Sequence, residues 1–132
     1  MSRSMVLRCA SALLAFAAMA STAHAQVQRN FPQNALRGEI AFATPPAITL
    51  NRVAAQLAPG ARIRGLDNML VMSGTLVGQR AVVNYTLEPG TGLVKDVWIL
   101  RSDEAARRPW PTTPEQAASW SFDPVAQVWT RP

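Results

Sequence analysis

The chain has 132 residues, thirteen Lys and Arg against eight Asp and Glu, a net charge of +5, one cysteine and one histidine. Cys9 and His24 both fall in an N-terminal stretch that reads as an export signal, so the remainder has no thiol and no imidazole. That excludes the usual zinc, copper, iron–sulfur and haem ligand sets, the Cys–His and Ser–His–Asp nucleophile systems, and any disulfide.

The N-terminal stretch opens with Arg3 and Arg8, runs through apolar residues from Cys9 to Ala20 and ends in the small-x-small triplet Ala23, His24, Ala25. This is the layout of a Sec-type signal peptide cleaved after Ala25. Its apolar run is shorter than the roughly 20 residues that a bilayer span requires. Cys9 opens that run instead of following it, unlike a lipobox cysteine. Residues 1–25 are therefore set apart as a cleaved signal, and the product is expected in the periplasm or outside the cell, with no membrane span. Arg3 and Arg8 leave with the signal, which lowers the net charge from +5 to +3, and Lys95 is then the one lysine among arginines. Roughly 107 residues remain, the size of one domain.

Residues 26–35 are polar and read as a flexible lead-in to a small β-rich domain over residues 36–132. "LRGEIAFAT" is strand-like and is stopped by Pro45 and Pro46. "AITL" and "VAAQL" flank Asn51-Arg52, a hairpin turn. "APG" at Ala58 to Gly60 predicts the next turn, and "ARIRG" and "NMLVM" follow with a break around Gly65 to Asn68. The clearest hairpin comes next. "QRAVVNYTLE" puts Ala81, Val83, Tyr85 and Leu87 on one face and Val82, Asn84, Thr86 and Glu88 on the other. After a turn at Glu88 to Gly92, "LVKDVWIL" returns with Val94, Asp96, Trp98 and Leu100 on one face, and Trp98 is expected to point inward.

"SDEAARR" predicts a short helix capped by Ser102 and stopped at Pro109. "TPEQAASW" predicts a second, with Thr113 as N-cap, Pro114 at the first position and Gln116 at the third. "WSFDPVAQVWT" reads as a terminal hairpin that brings Trp120 and Phe122 near Trp129. Together these elements predict a mainly β, α+β fold: a small antiparallel β-barrel or sandwich with one or two short helices and a C-terminal aromatic hairpin.

Three groups of residues could carry function. The aromatic tail supplies Trp110, Trp120, Phe122 and Trp129, which form either a hydrophobic lock over the barrel or a recognition surface centred on Trp110 and Trp129. Arg62 and Arg64 share one strand face, and with Arg80 they could bind an anionic glycan or lipid headgroup. Asp96 beside Trp98, with Glu88, is the one carboxylate arrangement suited to hydrolysis. The glycine-containing stretches lack the spacing of a phosphate loop.

The segments "LAPGARIRGLDNMLVMSGTLVGQRAVVNYTLE", "GLVKDVWIL" and "PWPTTPEQAASWSFDP" resemble a group of short exported proteobacterial proteins of unknown function. The resemblance implies export and a single domain, and supplies no catalytic residues. The strand order is also loosely similar in shape to an OB-like barrel, without a defining motif. The expected function is a non-enzymatic periplasmic interaction or accessory module of the cell envelope, working without a cofactor on an envelope protein. Binding of anionic glycan or lipid headgroups is the alternative. Nucleic acid is not expected as a partner of an exported protein.

Overall fold

Short alternating runs separated by turn residues form eight strands among the described residues: β1 (Leu36–Phe42), β2 (Ala47–Leu50), β3 (Val53–Arg64), β4 (Leu70–Val71), β5 (Arg80–Leu87), β6 (Val94–Ile99), β7 (Ser121–Asp123) and β8 (Val128–Thr130). Two short helices, α1 (Ser102–Ala105) and α2 (Pro114–Ser119), and a 3-10 turn at Ser73–Leu76 are the other elements among the described residues. The computed structural model describes residues 27–132, and the export signal expected over residues 1–25 lies outside the described residues.

Five strands close into a barrel, in the ring β1, β2, β3, β6, β5 and back to β1. Every pairing in the ring is antiparallel except β3 with β6, which is parallel. β4 adds to the far end of β3, and β7 pairs with β8 as a separate hairpin. The expected small barrel with short helices is what the chain forms.

The hairpin between β2 and β3 turns at Asn51 and Arg52, both with positive φ (52° and 69°), as a two-residue turn of this hand requires. Ile40, Phe42, Ile48, Leu57, Ile63, Val83, Tyr85, Val94 and Val97 fill the barrel, and Leu76 from the 3-10 turn joins them. Gly38 is what lets Tyr85 lie flat inside. A β-carbon there would sit 3.0 Å from the Tyr85 ring and 3.1 Å from both the Asn51 and Leu50 side chains. Gly38→Ala is therefore expected to destabilise the protein by about 1–3 kcal/mol, the scale of overpacking in a dense core. Chemical unfolding of the two proteins reads this directly.

Two irregularities depart from strict alternation. The "APG" turn expected at Ala58 to Gly60 does not end a strand: β3 runs through it as a bulge, with the register against β6 shifting between Leu57 and Arg62. The extra residues let β3 pair with β2 at one end and with β4 at the other. A second shift, between Thr86 and Leu87 of β5, sets Lys95 outside the β5–β6 ladder. Val94 and Val97 consequently both enter the barrel. Trp98, expected to point into it, lies on the outer face.

That outer face is covered by a second layer. Phe31, Ala35, Leu100, Trp110 and Trp129 form a second buried cluster, with Trp98, Trp120 and Phe122 packed against it. Residues 27–35, expected as a flexible lead-in, are docked here, and Arg29, Phe31 and Ala35 are buried. Both sides of β1, β5 and β6 are thus partly enclosed. This is why Asn84 and Thr86, polar residues on the outward side of β5, are buried as well.

An ion pair fastens the two layers. Arg29 donates from Nε (2.9 Å) and from a terminal nitrogen to the Glu104 carboxylate, and it also donates to the carbonyls of Gly65 (2.9 Å) and Ile99 (2.7 Å). Both side chains are almost fully buried, at 5% and 3% exposure. Helix α1 is therefore capped at Arg101 instead of at Ser102, because Glu104 reaches back to accept the Arg101 N–H at 2.9 Å. Helix α2 starts as expected, with the Thr113 hydroxyl accepting from the Gln116 N–H at 3.2 Å.

Candidate functional site

The stretch "GLDNMLVMSGTLV" supplies more apolar side chains than a two-residue strand can bury. Its local structure is set by a tight return of the chain. Gly65 N–H donates to the Met69 carbonyl at 2.9 Å, Asn68 N–H donates to the Gly65 carbonyl at 3.0 Å, and Asn68 has a positive φ of 66°. The Asp67 carboxylate accepts the Met69 N–H at 3.0 Å. β4 then pairs Leu70 with Arg64 and Val71 with Ile63. Val71 packs against the barrel core and Leu76 enters it. Leu66, Met69, Leu70, Met72 and Val77 are left in solvent, with Met72 at 79% exposure.

Beside this patch lies a groove of about 440 Å³. Its floor is β3 from Leu57 to Ile63, one wall is Pro45 and Pro46, and the other is Leu70 to Gly74. The groove exists because β2 leaves β3 at Gln56 and β4 joins it only at Ile63. On that side of β3, Leu57 N–H donates to the Pro46 carbonyl at 2.9 Å.

A smaller cleft of about 300 Å³ lies against the same stretch of β3 and is lined by Gly60, Arg62, Lys95 and Asp96. Gly60 and Arg62 line both hollows. Arg62 and Asp96 face each other across the parallel ladder, yet the Asp96 carboxylate accepts the Thr86 hydroxyl at 2.9 Å. Among the described residues, neither Arg62 nor Lys95 has a carboxylate within ion-pair distance.

The arginines expected to converge do so only in part. Arg62 and Arg64 share the outward face of β3, and Arg64 donates to the Asn68 carbonyl at 3.4 Å. Arg80 lies at the start of β5, paired with Ala41 of β1, and its guanidinium is 3.8 Å from the Glu39 carboxylate. Lys95, missed in the sequence, takes the place next to Arg62.

The tail aromatics lie elsewhere. Trp110 and Trp129 are buried at 6% and 2% exposure, and Trp110 Nε1 donates to the Ala35 carbonyl at 3.0 Å. Phe122 stacks on Trp129 at 4.6 Å, while half-buried Trp120 ends α2 with the Arg131 guanidinium over its ring. The Arg37 guanidinium lies 5.0 Å from the Trp110 ring and donates to the Asn84 side chain at 2.8 Å. In this arrangement the indoles of Trp110 and Trp129 are interior side chains that join the layers.

Asp96 lies in β6, whereas Glu88 lies just past the end of β5. Glu88 accepts the Thr91 hydroxyl at 2.9 Å and serves the turn. A further hollow of about 510 Å³ at one end of the barrel, between Leu36, Leu87 and Ala117, has a mostly apolar lining with Gln33 and Asn34 on its rim. Among the described residues no helix is long and apolar enough to cross a membrane. No protein-family model, curated protein or solved structure matches the chain.

Proposed function

We propose that this chain is an exported, non-enzymatic interaction module of the cell envelope, and that it meets an envelope protein through β4 and the groove along β3. One observation carries this reading: five of the ten large hydrophobic residues exposed among the described residues fall between Leu66 and Val77. Solvated apolar side chains gathered this way mark contact surfaces, and methionine suits them because it adapts its shape to a partner. The barrel connectivity supports the same surface. A five-stranded ring of this kind is the plan of OB-like barrels, which bind oligonucleotides and oligosaccharides on the second and third strands and adjoining loops, and by that analogy of shape the groove lies on the side such barrels use.

Photo-crosslinking in envelope extract tests the proposal. A crosslinker placed at Leu70 is expected to trap a discrete partner, and the Met69→Asp, Met72→Asp double variant is expected to lose it. Being solvent-exposed, those substitutions should change folding stability by no more than about 0.5 kcal/mol. A crosslinking pattern unchanged by the double variant would remove this surface from consideration.

A second reading keeps the alternative of an anionic glycan or lipid headgroup, here held by Arg62, Arg64 and Lys95. It is favoured by the lack of carboxylate partners at Arg62 and Lys95. Binding to anionic vesicles that disappears at high ionic strength would support it over a protein contact.

A further inference from the structure

We infer that the groove along β3 takes an extended polypeptide segment in which one aspartate or glutamate side chain is flanked by apolar residues. This rests on the preceding reading of the groove as the contact surface and names the chemistry of its occupant. Three features point to it.

The first is the backbone. Among the described residues no strand pairs with the groove side of β3 between Leu57, whose N–H is taken by the Pro46 carbonyl, and Ile63, although strands occupy that side at both ends. An extended chain can lie along such a gap and use the main-chain groups left there, where Pro59 offers a carbonyl but no N–H, and a lipid or a glycan cannot reproduce such bonds in register.

The second is the connection at Gly60. It lines both the apolar groove and the Arg62–Lys95 cleft, and nothing lies within 4 Å of where its side chain would be. A side chain leaving a peptide in the groove can cross β3 here. Its φ of +76° favours glycine, so the backbone geometry and the passage call for the same residue.

The third is charge. Arg62 and Lys95 line the end of that passage without a carboxylate partner among the described residues. Asp96, the other charged residue lining the cleft, is turned to Thr86. Two cations against one anion favour an incoming carboxylate, and the apolar walls formed by Pro45, Leu57, Leu70 and Met72 favour aliphatic residues beside it.

The test uses the isotope-labelled full chain as exported and two terminally blocked pentapeptides. One has a central glutamate with leucine and valine on either side, and the other has glutamine in its place. The glutamate peptide is expected to shift the amide resonances of Ala58, Gly60, Ala61 and Met72, and to bind about fivefold more tightly than the glutamine peptide, the scale of an exposed ion pair. Arg62→Gln and Lys95→Gln should each erase most of that preference while leaving the glutamine peptide unaffected. Asp96→Asn should strengthen binding of the glutamate peptide by removing a like charge. Equal affinity for the two peptides would overturn the carboxylate inference and leave the groove as a contact surface. Shifts that map elsewhere, or that appear with dodecyl phosphate and with neither peptide, would overturn it as a peptide site. Crosslinking from Leu70 then judges the contact surface independently.

Discussion

Replacing Glu104 by alanine is expected to destabilise this protein by about 3–5 kcal/mol, the scale seen when one partner of a buried ion pair is removed. Arg29 would be left inside the fold with two carbonyl acceptors and no counter-charge. Against a total of about 5–15 kcal/mol for a typical domain, this is a severe loss. Urea unfolding of the wild type, Glu104→Ala and the Arg29→Met, Glu104→Leu double variant measures it. The double variant should recover much of the loss, because no charge is then stranded. If the single variant costs under 1 kcal/mol, the pair does not hold the layers together.

The same pair sets the response to acid. Burial alone would push the Glu104 carboxyl up, but hydrogen bonds from the Arg29 side chain and the Arg101 backbone outweigh it, with the charges of both arginines adding to them. The carboxyl is therefore held below its ordinary value of 4.5. The stability contributed by its ionised form is complete above that value and disappears as pH falls through the lower value in the fold. The double variant should lack this part of the acid transition.

Trp110→Ala is the second large effect, expected at about 3–5 kcal/mol from the cavity and the lost burial. Trp110 packs edge-on against Phe31, Phe122 and Trp129, lies beneath Arg37, and donates to Ala35. Trp110→Phe should cost distinctly more than Trp129→Phe, because the Trp129 indole N–H is buried without a partner among the described residues and its removal forfeits no hydrogen bond there. Thermal unfolding followed by near-ultraviolet dichroism gives both numbers. Equal costs for the two phenylalanine variants would mean that the Ala35 hydrogen bond contributes nothing net.

Much of the barrel was legible because its signals are local. Asn51-Arg52 and Glu88 to Gly92 turn the chain as their residue types require, and the alternation around Val83 and Tyr85 marks the interior side of β5. Alternation stops being a guide where a second layer covers the sheet. Asn84 reads as outward-facing and is buried, since its partner Arg37 and the layer over it come from distant parts of the chain. The bulges at Ala58–Ala61 and Lys95 answer to two neighbouring strands at once, and a single strand's sequence does not record its neighbours. Arg62 was legible as a candidate, but the apolar side of the site and Lys95 were missed for the same reason. "NMLVM" looks like an ordinary apolar strand until the structure shows that only two of its residues pair. Lys95 looks like a solvated lysine until the parallel ladder sets it near Arg62.

The parallel ladder also divides the barrel into local and long-range parts. β1, β2 and β3 can meander together as soon as they exist, because each lies next to its partner along the chain. The ring cannot shut until β6 arrives beside β3, and closing that long loop is an entropic barrier that local contacts do not lower. The wall of β1, β5 and β6 that Phe31, Trp110 and Trp129 cover needs a second long-range pairing, β1 with β5. The first described segment and the last hairpin, though far apart in the chain, meet on that wall, so each has a complete surface to bury against only when the other is in place.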